Sequence, residues 1–265
     1  MNFARLRSVH IIAIAVFIVA LLSVGLGRLP RMLEYMHEDA NFALYPTAQT
    51  AYEIAMKHFD ANNPGEYDMQ RALHYFEETA SIDPAFRHVH HQLARIYFIR
   101  GSFEQALAQI NTELRGTDSP DPASYYIKGL ILGFMGSYEN AAIFYRKYLE
   151  HNPNNWAGLN DYAWVLLRAD HPHEALDAVT RGLVTSPHNP WLLNSKATAL
   201  YELKLYNDAL TAAKDAIEAA DNTTPTMWYA AYPGNDPAIA HEGIQKMRRA
   251  TRDNYEKIAA TINAQ

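Results

Sequence analysis

Five alanines recur along the chain at an almost constant spacing. They are Ala72, Ala106, Ala141, Ala175 and Ala209, and successive members are 34, 35, 34 and 34 residues apart. Apolar or aromatic residues keep the same step four positions further on, at Phe76, Ile110, Tyr145, Val179 and Ala213. A fixed period of this length is typical of stacked supersecondary units, none of which can bury its apolar face alone. The period therefore predicts one continuous repeat array.

Each unit also has an earlier amphipathic segment in which a small residue recurs. The small residues are Ala94, Gly129, Ala163 and Ala197, and Gly101 and Gly136 separate the two segments of their units. This pattern resembles the tetratricopeptide repeat (TPR) family, whose unit is a helix–turn–helix of 34 residues. Small residues suit that unit because they let two helices approach closely. The resemblance covers roughly residues 50–221 and implies an all-α fold, a right-handed α-solenoid of about five units.

The period and its interruptions predict five regions. These are a short tail at 1–8, a transmembrane helix at 9–27, a linker at 28–46, the TPR array at 47–221 and a capping region at 222–265. The first unit is divergent, with helices expected at Ala51–Phe59 and Met69–Ile82. Four regular units are expected at Arg87–Asp118, Pro122–Pro153, Trp156–Pro187 and Pro190–Asp221.

The end of the chain is expected to close the array. Pro225–Tyr232 could be a shortened helix, and Asp236 is a candidate N-cap for a long helix over Pro237–Ile262. A solenoid needs a terminal element with a polar outer face, and this helix fits that need. Its basic middle is interpreted as a solvated face, with contact to an anionic lipid or an acidic partner as the alternative. The basic residues are Lys246, Arg248, Arg249 and Arg252.

No charged residue occurs from Ile11 to Gly27. The apolar segment 9–27 is long enough for a bilayer core, so it predicts an uncleaved transmembrane anchor, with a cleaved signal peptide as the rival. The charges around it weakly favour a cytoplasmic N-terminus and an extracytoplasmic array, and the opposite, cytosol-facing orientation stays open. In the linker that follows, the acidic pair Glu38 and Asp39 suits a solvated stalk.

The resemblance also implies where a partner would bind. In TPR proteins the first helix of each unit lines a concave groove, and a protein or peptide is the expected ligand. Tyr, Trp and Arg are the residue types that most often anchor such interfaces. Several of the aromatic residues could instead pack against neighbouring helices or the terminal cap. The candidate partner-binding residues are His88, His91, Arg95, Tyr126, Leu130, Phe134, Asn160, Trp164, Arg168, Trp191, Asn194 and Tyr201.

Composition and motifs argue against catalysis. The net charge of −6 argues against nucleic-acid binding, and the absence of cysteine excludes thiol chemistry. His88, His90 and His91 lack a carboxylate at a useful spacing, so no metal, cofactor or enzyme activity is expected. The sequence thus predicts a membrane-anchored scaffold or adaptor that holds a protein partner during secretion, envelope or complex assembly. The alternatives are a permanent structural subunit of a large membrane complex and a cytosol-facing TPR receptor.

Overall fold

The computed structural model describes residues 30–60, 62–116, 120–231 and 237–264. Within these ranges the chain forms thirteen α-helices and one short 3-10 helix, Pro237–Ile239, and no strand. The helices are α1 (30–44), α2 (Ala48–His58), α3 (Met69–Ile82), α4 (Val89–Ile99), α5 (Phe103–Arg115), α6 (Pro122–Phe134), α7 (Tyr138–His151), α8 (Trp156–Arg168), α9 (Pro172–Thr185), α10 (Pro190–Glu202), α11 (Tyr206–Asp221), α12 (Pro225–Ala231) and α13 (Ala240–Asn263).

Helices α2 to α11 form five consecutive pairs, and each pair packs on the next. The five periodic alanines lie on the second helices, α3, α5, α7, α9 and α11, and all of them are buried. The residues four positions after them are buried as well. Burial of both columns forms the core between the helices, so the predicted all-helical solenoid is confirmed.

Local sequence signals set the helix boundaries. Pro190 is the first residue of α10, and the Asn189 side chain before it accepts hydrogen bonds from the Trp191 and Leu192 amides. The Asp121 side chain caps α6 in the same way. Proline suits the first helical position because the amide it lacks would have no intrahelical partner, and Asn or Asp is a favourable N-cap.

The turn between the two helices of a unit needs a left-handed backbone. Gly101, Gly136, Asp170 and Lys204 occupy this turn in units two to five, with φ of 73°, 81°, 61° and 62°. Glycine adopts this conformation without steric cost, whereas a side chain makes it unfavourable. The two glycines that punctuate the sequence thus mark a backbone requirement that all four units share.

Helix α1 replaces the solvated linker that the sequence predicts. Glu38 is only 7% exposed. Its Oε1 accepts a hydrogen bond from Lys57 at 2.9 Å. Its Oε2 accepts one from Arg71 at 3.0 Å and lies 2.8 Å from His58 Nε2. Burial alone would raise the pKa of Glu38, but hydrogen bonds from these three side chains outweigh it and lower the pKa. The interpretation of Glu38 as part of a solvated stalk is therefore wrong, because its partners on α2 and α3 dock α1 onto the first unit.

At the other end of the array, α13 packs on α11 and α10. It lies close to the range predicted for the terminal helix, whereas the proposed N-cap Asp236 lies outside the described residues. Two of its basic side chains bind the end of α11: Arg248 donates to the Asp221 carbonyl at 2.8 Å and Arg252 to its carboxylate at 2.7 Å. Cations at a helix C-terminus satisfy its free carbonyls and oppose its dipole, so these arginines help to fix α13 in place.

The expected single-pass membrane localisation is corrected by the structure. Among the helices in the described ranges, none combines the length and the apolar character that crossing a bilayer requires. The segments 1–8 and 9–27, to which the tail and the transmembrane helix were assigned, lie outside the described residues. The structure thus gives no support to a membrane anchor or to the sidedness inferred from it.

Candidate functional site

The candidate site is the surface formed by the first helices of units two to five, which we call the first-helix face. Eleven of the twelve predicted partner-binding residues lie on these four helices, and the twelfth, His88, is the N-cap of α4. They are His88, just before α4, with His91 and Arg95 on α4; Tyr126, Leu130 and Phe134 on α6; Asn160, Trp164 and Arg168 on α8; and Trp191, Asn194 and Tyr201 on α10. Their role in binding stays a prediction, but their surroundings divide them into distinct groups.

A line of side-chain hydrogen bonds crosses this face, and we call it the polar row. It joins each first helix to the next one and joins the last, α10, to α13. It uses one residue from the same position in each of the four helices, together with a polar residue of the neighbouring helix. The four contacts are His91 Nδ1 with Ser124 Oγ (2.9 Å), Tyr126 Oη to Asp161 Oδ2 (2.5 Å), Ser195 Oγ to Asn160 Oδ1 (2.9 Å) and Asn254 Nδ2 to Asn194 Oδ1 (3.0 Å).

Asp161 is the acidic member of the polar row. Burial raises its pKa to about 6, and the hydrogen bonds from Tyr126 and Asn160 only partly oppose this effect. Burial, followed by the charge of Asp161, also raises the Tyr126 pKa well above its usual range. Within the described part of the chain no cation forms an ion pair with Asp161. A carboxyl group that titrates near neutral pH therefore lies on the first-helix face.

The predicted residues of α4 lie at the end of the face nearest the first unit. Burial, with a smaller effect from Arg95, lowers the His91 pKa to about 4, so the imidazole is neutral at pH 7. Arg95 donates to Gln92 at 2.7 Å, and its guanidinium lies 4.8 Å from the centroid of the Phe59 ring. These contacts hold Arg95 against the first unit through a hydrogen bond and a cation–π interaction.

His88 has a conformational role that the sequence does not reveal. It precedes α4 with a left-handed φ of 66°, and its Nδ1 lies 3.4 Å from Glu113 Oε1. Its neighbour His90 instead contacts Gln109 at 2.6 Å. Across the described residues, no three His, Asp or Glu side chains converge in an arrangement that could hold a metal ion.

A cluster of rings lies where the first helices of units two to four end, and we call it the aromatic edge. Its members are Phe98, Phe103, Phe134, Tyr138, Trp164 and the flanking Arg168. The Phe134 centroid lies 5.1 Å from that of Phe98 and 5.3 Å from that of Trp164, yet Phe134 is 54% exposed. Arg168 donates to the Tyr138 hydroxyl at 3.0 Å and lies over its ring.

The side chains of Trp164 and Leu130 mainly pack against neighbouring helices. A Cβ added to Gly133 would approach the Trp164 ring to 2.7 Å, so the missing side chain at Gly133 is what lets α8 pack closely against α6. Leu130 packs on the central apolar core of units three and four. Within the aromatic edge, Phe134 and Arg168 are thus the predicted residues that remain exposed.

The three predicted residues of α10 face the terminal helices. Trp191 packs in the apolar cluster of α12 and the start of α13. Asn194 accepts a hydrogen bond from Asn254, and the Tyr201 hydroxyl lies 3.2 Å from Thr261 Oγ1. Because α13 stacks on α10 much as each first helix stacks on the preceding one, these residues contact the cap. The open part of the first-helix face therefore lies on α4, α6 and α8.

Sequence reasoning did not identify the polar row as a unit, although a signal for it exists. His91, Tyr126, Asn160 and Asn194 each lie three residues before the small residue of their first helix. A polar or aromatic hydroxyl-bearing side chain at one repeated position suggests a shared contact. Two of the partners, Asp161 and Ser195, share a repeat position, but Ser124 lies three positions earlier in its helix and Asn254 lies on α13, so the sequence alone does not pair all four.

Comparison with known proteins agrees with this architecture. Two tetratricopeptide-repeat models match the chain, one at residues 122–155 and the other at residues 144–177. The chain therefore contains tetratricopeptide repeats, as the spacing predicts. No curated protein sequence matches it.

Several solved structures resemble the fold. YrrB, described as a TPR protein with an unusual peptide-binding site, matches with a TM-score of 0.58 at 14% identity, over 70% of this chain and 93% of its own. MamA matches with a TM-score of 0.54 at 16% identity, over 68% and 96% of the two chains. The anaphase-promoting-complex assembly Cut9–Hcn1 matches with a TM-score of 0.55 at 16% identity, over 85% of this chain and 43% of that one. Identities this low show a shared fold.

Proposed function

We propose that this protein is a TPR scaffold or adaptor that holds a peptide or protein segment on the open first-helix face of α4, α6 and α8. Its role is binding, with no catalytic step. The observation that carries the proposal is the aromatic edge, where Phe134 stays 54% exposed although aromatic rings surround it. Single exposed apolar side chains are common on protein surfaces, but Phe134 extends a contiguous cluster of rings, and contiguous apolar patches are typical of binding surfaces.

The chemistry of the face favours a partner segment with an apolar anchor and polar backbone groups. An apolar side chain can pack on Phe134 and displace water from it, which is the main source of affinity at such a site. Arg168, exposed beside it, can donate to a partner carbonyl or carboxylate while it remains held by Tyr138. The peptide-binding site of the structurally similar YrrB gives the proposal a parallel in another TPR protein.

The extent of the site follows from the cap. Since Trp191, Asn194 and Tyr201 contact α12 and α13, the proposed site spans three units and ends before α10. A short segment of partner is therefore sufficient to fill it, and the side chains of α10 are expected to affect stability more than affinity.

The test is direct selection of ligands on the full chain. Peptides enriched from a random display library would be labelled, and their affinity measured by fluorescence anisotropy. The double variant Phe134→Ala/Arg168→Ala is expected to weaken binding by about tenfold or more, because a central aromatic anchor and an arginine are lost together. Ile143→Ala is the matched control, since Ile143 is an exposed apolar residue on α7.

A loss of binding supports the proposal only if both variants remain folded. Circular dichroism of both variants should match the wild-type spectrum. The melting temperature of the double variant should fall by no more than a few degrees, because it loses ring contacts at the surface but no fully buried side chain. Selected peptides that bind the double variant as tightly as the wild type would place the binding site elsewhere and refute the proposal.

A further inference from the structure

A group of cations lies on the opposite side of α6 from the first-helix face. Lys128 is two residues from both Tyr126 and Leu130, a rotation of about 200° around a helix. Its ammonium group lies 4.2 Å from the centroid of the Phe144 ring, and that of Lys147 lies 5.4 Å from the same centroid. Both cations therefore lie over one aromatic side chain of α7.

A second ring and a third cation complete the group. Lys147 also lies 5.4 Å from the centroid of Tyr125, whose ring is nearly parallel to that of Phe144 at 6.3 Å. Arg115, at the end of α5, is close enough to influence Lys128 electrostatically. We call Arg115, Tyr125, Lys128, Phe144 and Lys147 the cationic patch.

The patch lacks a negative counterpart. Burial lowers the pKa of Lys128, and the positive charges of Lys147 and Arg115 lower it further, with no carboxylate acting against them. Among the described residues, none of the three cations forms an ion pair. The patch therefore keeps a net positive charge, although the chain as a whole carries a net charge of −6.

The repeat pattern does not require these charges. In unit five, 68 residues later, the positions of Lys128 and Lys147 are occupied by Lys196 and Asp215, which have opposite charges. In unit two the position of Lys128 is occupied by Leu93, which is buried. A TPR unit can thus fold with an apolar residue or a balanced pair here, so the repeat does not require lysine at both positions of unit three.

We propose that the cationic patch binds an acidic segment of a protein partner. Carboxylates of that segment pair with Lys128, Lys147 and Arg115, and an apolar side chain of the same segment contacts the rings of Tyr125 and Phe144. Loss of the repulsion between the three cations adds to the attraction, because the bound carboxylates neutralise them. This surface goes beyond the first-helix face and gives the scaffold a second contact on the other side of α6.

A protein segment fits better than a nucleic acid. Three cations are a small footprint, and the excess negative charge of the whole chain repels a long polyanion. A short segment that alternates carboxylates with an aromatic residue can use both the charges and the rings.

The probe for the test is a fluorescein-labelled peptide that has four glutamates around one phenylalanine. Its affinity for the full chain would be measured by anisotropy at low salt. Lys128→Gln/Lys147→Gln is expected to weaken binding by about tenfold, a plausible sum for two partly exposed ion pairs. Raising the ionic strength to about 300 mM should weaken wild-type binding in the same direction, since screening shortens the range of the attraction.

The matched control removes the same number of charges elsewhere. Lys196→Gln/Lys214→Gln lies in unit five and should bind the probe as the wild type does. Phe134→Ala/Arg168→Ala should also bind it unchanged, which separates this site from the first-helix face. All three double variants should keep the wild-type melting temperature within a few degrees, because none removes a contact of the apolar core.

Three results would overturn the proposal. One is equal loss of affinity in the unit-three and unit-five double variants, and another is no measurable binding at low salt. The third is displacement of the probe by inorganic phosphate or a single-stranded oligonucleotide at a lower concentration than the unlabelled peptide requires, which would assign the patch to a different ligand.

Discussion

Replacing Asp161 with asparagine is expected to stabilise the protein at neutral pH and to have much less effect at pH 4. In the folded chain burial raises the Asp161 pKa to about 6, against a value of 3.8 for the free side chain. The folded state thus holds the proton more tightly than the unfolded state does. Stability is therefore lost as the pH rises from 3.8 to about 6, and above that range the ionised carboxylate carries the full cost.

The magnitude follows from the difference between the two pKa values. One pKa unit corresponds to about 1.4 kcal/mol, so the full cost above pH 6 is about 3 kcal/mol. Between pH 4 and pH 7 the change is about 2 kcal/mol, because the unfolded carboxyl is already partly ionised at pH 4. Asparagine removes the charge but keeps an oxygen that can accept the Tyr126 hydroxyl. It also loses the hydrogen bond from Asn160, which offsets part of the gain by a similar amount at both pH values.

The assay is urea unfolding of the wild type and Asp161→Asn at pH 7 and at pH 4. Asp253→Asn serves as the control, since Asp253 is an exposed aspartate on α13. The difference between the two pH values, about 2 kcal/mol in favour of the Asp161 variant at pH 7, is the quantity predicted. A stability difference from the wild type that is the same at both pH values would refute the account of Asp161 as a buried carboxyl without a cationic partner.

Other perturbations test the turns and the N-terminal helix. Gly136→Ala should lower the free energy of unfolding by about 1–2 kcal/mol in thermal melts. The cost comes from the left-handed backbone alone, because φ is 81° and the added methyl group meets no neighbour. Gly116→Ala, at φ −75°, should not show this loss. Lys204→Gly relieves the same left-handed conformation and should raise stability by up to about 1 kcal/mol, with an unchanged melting temperature as the contrary result. Glu38→Gln removes the charge that Lys57, His58 and Arg71 surround, so it should destabilise α1 by about 3 kcal/mol and accelerate hydrogen exchange of its amides. The exposed Glu53→Gln should leave that exchange unchanged.

The core of the fold could be predicted from the sequence because its packing is periodic. Ala72 and its four equivalents recur wherever a second helix must approach its neighbours, so one spacing specifies every unit. The left-handed turns could be predicted from the sequence in only two of the four units. Gly101 and Gly136 indicate them, but Asp170 and Lys204 adopt the same conformation without the residue type that signals it.

Contacts between polar side chains were not predictable in the same way. Glu38 and Asp39 resemble a solvated stalk in sequence, yet Glu38 meets Arg71, 33 residues away, only once α1 has docked. Pairing of Tyr126 with Asp161 depends on the register between α6 and α8, which no local pattern fixes. For the same reason, the sequence could place Trp191 and Tyr201 on a first helix but not show that the terminal helices contact them.

The polar row has a mechanical consequence. Its four contacts join the helices on the first-helix face, whereas the buried alanine columns lie on the second helices. The hydrogen bonds of the row are therefore separate from the apolar core. A ligand that competes for the Tyr126 hydroxyl or the Asn160 amide would break one hydrogen bond between neighbouring first helices and leave the packing of the apolar core unchanged.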